Sequence, residues 1–119
     1  MYRFVAILVV LSLPQFASAQ SVSFGAGLSG AGHIGGSADS INNVVTGRVH
    51  WSGNGITIHD GSIETQFVLL LGTITRSNDP NLEGKEVRIE LLPNGGLVFF
   101  TIHLEPDVPY SGTGRVTIR

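Results

Sequence analysis

From Val22 onward, apolar residues recur at alternate positions, and no stretch carries them at the three-and-four spacing of a buried helix face. A period of two suits an extended chain with one face buried, so the sequence predicts an all-β fold. In the segment Asn43 to Trp51, Val45, Val49 and Trp51 share one face and Thr46, Arg48 and His50 the other. Val22, Phe24, Ala26 and Leu28 alternate with serine and glycine in a looser first strand, and the glycine-rich continuation from Gly30 to Asp39 reads as a loop.

Two Asn-Gly dipeptides predict hairpins, because both residues tolerate the positive φ angles of a type I′ turn. A turn at Asn54-Gly55 would pair Trp51 with Ile58 and set His50 across from His59. A turn at Asn94-Gly95 would pair Leu91 with Val98, Ile89 with Phe100 and Val87 with Ile102, with Glu86 opposite His103. Ser62 to Thr75 reads as one long strand, apolar on both faces from Phe67 to Leu71, and hence as a central strand covered on both sides. Arg76 to Gly84 is a surface loop, Pro106 and Pro109 bracket another, and Arg115 to Arg119 forms a last strand. About seven strands at this spacing predict an antiparallel β-sandwich of immunoglobulin-like architecture, with a small barrel as the alternative.

The first nineteen residues break the pattern. Met1 to Gln20 combines Arg3, an apolar run from Phe4 to Leu13, Pro14 and the small residues Ala17-Ser18-Ala19, which is the layout of a cleaved signal peptide. The run is too short to span a bilayer as a helix, so membrane insertion is not expected. Residues 1–19 are read as the leader and 20–119 as a single domain. Cysteine is absent and no Asn-x-Ser/Thr site occurs, which suits a bacterial periplasmic or extracellular protein held by its core alone. With Arg3 removed, six Lys and Arg stand against nine Asp and Glu, a formal charge of −3 that offers nothing to nucleic acid.

Few residues point to chemistry. Gly25 to Gly30 matches the G-x-G-x-x-G fingerprint, but the glycine-rich sequence after it cannot supply the helix that the fingerprint needs. His59 and Asp60 are neighbours, which in a regular strand point to opposite faces and form no relay; no nucleophile constellation stands out, and an enzyme is not expected. His50, His59 and His103 fall on polar strand faces, with His33 and Glu105 as further donors, and could hold copper(II) or zinc if their strands share a sheet. Leu92, Leu97 and Phe99 lie on an outward face, as do Val68, Leu70 and Ile74 on the second face of the long strand. Such a patch wants a partner.

The sequence therefore favours an exported, non-enzymatic domain acting through protein contacts: self-association, or docking to a periplasmic or cell-surface partner through Leu92, Leu97 and Phe99. A free edge at Ser21 to Ile34 would add strand pairing. The alternative is a periplasmic metal-binding protein using the histidines. Mass spectrometry of the protein exported with its own leader should give an N-terminus at Gln20. Retention of Met1 in the exported product would remove the leader reading.

Overall fold

The computed structural model describes residues 20–94, 97–104 and 108–119. The candidate leader, Gly95, Gly96, Glu105 and Pro106 lie outside the described residues. Eight strands follow one another: β1 (Gln20–Leu28), β2 (Gly32–Ile41), β3 (Val44–Trp51), β4 (Asn54–Ile63), β5 (Val68–Arg76), β6 (Glu86–Asn94), β7 (Leu97–Leu104) and β8 (Val108–Ile118). Each pairs antiparallel with the next, and β8 pairs back onto β1 from Val22 opposite Ile118 to Leu28 opposite Gly112. The fold is all-β, as the alternation requires, but it is a closed barrel and not a sandwich.

Closure has immediate consequences for the expected elements. The segment read as a loop, Gly30 to Asp39, is mostly strand β2, and β1 is bonded on both sides, so no edge is left at Ser21 to Ile34. Glycine misled the reading here: Gly36 and Gly47 are strand residues with backbone packed against them. A Cβ on Gly47 would sit 2.2 Å from the Ser37 carbonyl oxygen, and one on Gly114 2.2 Å from that of Gly25. Small inward residues such as Ala26, Ala38 and Gly114 let the walls approach, while Ile58, Leu70, Ile89 and Ile102 fill the lumen from β4 to β7. An eight-stranded barrel has an interior just wide enough for side chains to fill.

The long strand is two strands. Glu64 N–H donates to the Phe67 carbonyl at 3.1 Å, closing a turn between β4 and β5. Val68, Leu70 and Ile74 are 1% exposed or less, so they belong to the core and not to an outer patch. A barrel wall is one layer thick, and no second layer of strands covers its outside among the described residues. Leu69 and Leu71 instead lie half-buried opposite Glu90 and Arg88.

Both hairpin registers differ from the Asn-Gly expectation, with cross-strand partners displaced by four residues in the first hairpin and by two in the second. Between β3 and β4 the loop is Ser52-Gly53, with φ of 47° and 86°, so Trp51 pairs with Asn54 and Val49 with Ile56. Tertiary bonds decide this. Trp51 Nε1 donates to the Ala31 carbonyl at 2.9 Å and Ser52 Oγ to the same oxygen at 2.7 Å, while buried Asn54 accepts from the Ser77 hydroxyl. Asn54 is thus worth more as a bonded strand residue than as a turn residue. In the second hairpin Leu91 pairs with Phe100, Ile89 with Ile102 and Val87 with Leu104, and Arg88, not Glu86, faces His103.

Faces survive a shift by an even number of residues, so Trp51 still points inward, at 5% exposure, where it packs against the Tyr110 ring at a centroid distance of 5.2 Å. The close approach of β8 to β1 predicts that Gly114→Ala destabilises the barrel by about 1–3 kcal/mol through overpacking. Gly27→Ala, where a Cβ meets nothing within 4 Å, should stay within about 0.5 kcal/mol of wild type. Urea unfolding of the two variants reads the difference directly.

Candidate functional site

With the lumen filled, the grooves of the described residues lie on the outer wall and at the barrel ends. That wall carries many polar residues, with Ser23 on β1, Ser37 and Asp39 on β2, Thr46 and Arg48 on β3, and Thr113 and Thr117 on β8 all exposed. Apolar inside and polar outside is the inverse of a lipid-facing barrel. Among the described residues, no helix is long and apolar enough to cross a membrane.

The three strand-face histidines do face outward, but they do not converge. His50 lies opposite Gly35 on one side and Gly55 on the other, four positions along β4 from His59. At ~3.3 Å per residue that is about 13 Å, beyond the span of one metal ion. His59 is the extra residue of a β-bulge between Ile58 and Asp60, so His59 and Asp60 both face outward, contrary to the expectation for a regular strand. They still form no relay: Asp60 Oδ1 accepts from the Gly61 N–H at 2.8 Å, and His59 Nε2 lies 3.2 Å from Thr73 Oγ1 and 3.5 Å from Glu86 Oε2.

His103 Nε2 lies 3.4 Å from Glu90 Oε1, whose other oxygen is 3.3 Å from Arg88 Nε. His59 and His103 line one groove of about 560 Å³, with Leu71 at its floor and Glu86 and Arg88 between them. Among the described residues, no group of three or more His, Asp or Glu is placed to hold a metal ion. His33 sits apart on β2, and Glu105 lies outside the described residues.

The apolar patch is better formed. Leu92 and Phe99 are direct cross-strand partners on β6 and β7, both outward, at 53% and 54% exposure, and Leu97 beside them is 61% exposed. Leu97 pairs with Arg115 on β8, and a groove of about 270 Å³ runs between Phe99 and Thr113 to Arg115. Glu90 stands two residues before Leu92 on β6, opposite Thr101. The patch therefore has a cation on its β8 flank and an anion on its β6 flank. Tyr110 faces inward against Trp51 and offers no free platform.

Sequence reasoning missed two features. Ile41 and Val44, 60% and 53% exposed, flank the Asn42-Asn43 turn, whose φ angles of 54° and 66° mark a two-residue hairpin loop. That hairpin was hidden because β2 was read as a loop. The second is a groove of about 440 Å³ that gathers Arg48, His50 and Arg76 from three different strands. Only the cross-strand register brings them together, and no spacing in the sequence announces it. No protein-family model matches the chain, and no curated protein or solved structure matches it either.

Proposed function

We propose that this barrel is an exported, non-enzymatic module that works through protein contacts, and that its partner is a second copy of itself. The observation that carries the reading is the arrangement around Phe99. On the outer wall, Arg115, Phe99 and Glu90 lie on one diagonal across β8, β7 and β6: Arg115 pairs with Leu97, Phe99 is two residues on, and Glu90 pairs with Thr101, two further. A two-fold axis lying in the interface at Phe99, perpendicular to that diagonal, sets Arg115 of each copy against Glu90 of the other. It also lays Leu92, Leu97 and Phe99 of one copy over those of its mate. Isologous pairing needs a surface that is complementary to itself, and an apolar centre between opposite charges meets that need.

The closed ring supports the same reading from another side. With no edge strand to extend, backbone pairing with a partner is unavailable, and side chains must supply the contact. Large apolar side chains exposed as direct neighbours are the usual mark of such a surface.

Analytical ultracentrifugation tests the proposal. Wild type should dimerise, and Phe99→Glu or Leu97→Glu should raise the dimer dissociation constant by more than about 30-fold, as expected for central apolar contacts. Arg115→Glu should weaken the dimer, and Arg115→Glu combined with Glu90→Arg should restore part of the loss. A wild-type protein that stays monomeric at millimolar concentration, or a dimer indifferent to both apolar variants, would overturn the reading.

A further inference from the structure

The groove on the far side of the barrel has a different character from the apolar patch. Gly35, His50, Gly55 and Arg76 are successive cross-strand partners on β2, β3, β4 and β5, so a histidine and an arginine stand on either side of a glycine. Gly55 has no side chain to fill the space between them, and the result is a notch with backbone for its floor. A bulge shapes the opposite wall: Gly55 pairs with Arg76 but Ile56 with Ile74, which leaves Thr75 as the extra residue and turns both Thr75 and Arg76 outward. Thr75 Oγ1 lies 3.2 Å from Thr57 Oγ1 and donates to the Gly55 carbonyl at 3.4 Å, placing two hydroxyls at the foot of the notch. Arg48, opposite Thr57 on β3, completes the rim.

Charge is the telling feature. Two of the six arginines and lysines outside the leader line this one groove, in a segment with an excess of acid, and no carboxylate lines it. Among the described residues, neither Arg48 nor Arg76 has an Asp or Glu within ion-pair distance. The acids that follow Arg76 in sequence are held within their own loop: Asp79 Oδ1 accepts from the Asn81 N–H at 3.0 Å and Glu83 Oε2 from the Ser77 N–H at 3.2 Å. Two like charges beside an imidazole, without a counter-charge, repel one another. An anion that takes guanidinium forks from both sides relieves that repulsion.

We infer that the notch over Gly55 is a binding site for the tetrahedral oxyanion of a small phosphate or sulfate ester, held by Arg48 and Arg76 with His50 and the Thr57 and Thr75 hydroxyls as further polar contacts. The volume, about 440 Å³, accommodates a group of small-metabolite size. The site is independent of the proposed dimer. It lies on β3 to β5 near the Ser52-Gly53 turn, whereas Phe99 lies on β7 near the opposite end of the barrel.

The probes are inorganic phosphate and inorganic sulfate, titrated separately against chloride at constant ionic strength and followed by ¹H–¹⁵N NMR. Saturable shifts are expected at the Gly55 amide and at the Arg48 and Arg76 Nε–H signals, with at least one of the two anions. Arg48→Gln and Arg76→Gln should each weaken binding at least about tenfold, while Arg119→Gln, the same loss of charge elsewhere, should leave it unchanged. Gly55→Val separates a shaped site from diffuse charge. A Cβ there meets only Arg76, at 3.5 Å, an ordinary contact, so the fold is retained while the notch is filled. Binding should then fall as far as in the arginine variants, and Gly55→Ala serves if the valine variant melts early. Absence of a saturable shift with both anions, equal weakening in Arg119→Gln, or full binding by a folded Gly55→Val would each overturn the inference.

Discussion

The pairing of β1 with β8 is the constraint on which everything else rests. It runs from Val22 to Leu28 and is extended by Ser21, whose N–H donates to the Arg119 carbonyl at 3.0 Å while the Arg119 N–H donates to the Ser21 carbonyl at 2.9 Å. Those bonds turn a curled sheet into a ring and satisfy the backbone groups that an edge would leave open. They also dictate composition, since β8 can lie this close to β1 only if Gly112 and Gly114 present no Cβ to the backbone opposite. The glycines that loosen the sequence pattern are therefore what the close seam requires.

A ring with a packed lumen divides labour simply. Leu70, Ile89 and Ile102 hold the structure from within at no measurable exposure, and recognition is left to the outer wall. There the chain places two contrasting surfaces at opposite ends. Near the β6–β7 turn, apolar side chains stand between one acid and one base; near the β3–β4 turn, two guanidiniums and an imidazole surround a gap left by glycine. The His59–Glu86 and Glu90–His103 contacts lie between these surfaces on the wall; the first is solvent-exposed, and a pair so exposed contributes little to stability, whereas the second is half-buried.

Alternation made inside and outside legible wherever strands were regular. Val45, Val49 and Trp51 on β3 are buried as their face required, and Leu92, Leu97 and Phe99 are exposed. It failed where an irregularity reset the count: the turn at Glu64 to Phe67 sent Val68, Leu70 and Ile74 inward, and the bulge at His59 put two consecutive residues on one side. Register was harder than facing. A turn at Ser52-Gly53 or at Asn54-Gly55 leaves every side chain on the same face, so periodicity cannot choose, and the choice fell to bonds made by Trp51, Ser52 and Asn54 with distant residues. Closure was illegible for a related reason, because sandwich and barrel share the same strand pattern and differ in the non-local pairing of the first strand with the last. The notch at Gly55 inherits both difficulties, since it exists only once three registers are known.

The same closure sets a timetable for folding. Neighbouring strands can zip as hairpins while the polypeptide is still growing, but β1 waits for its second partner, β8, which follows the other seven strands. Until β8 emerges, the intermediate is an open sheet with two bare edges and half its lumen wetted, and joining the ends carries the entropy cost of the longest loop in the molecule. Stability thus arrives late, and until β8 has emerged a nascent chain of this design has hairpins and open sheet without the closed core.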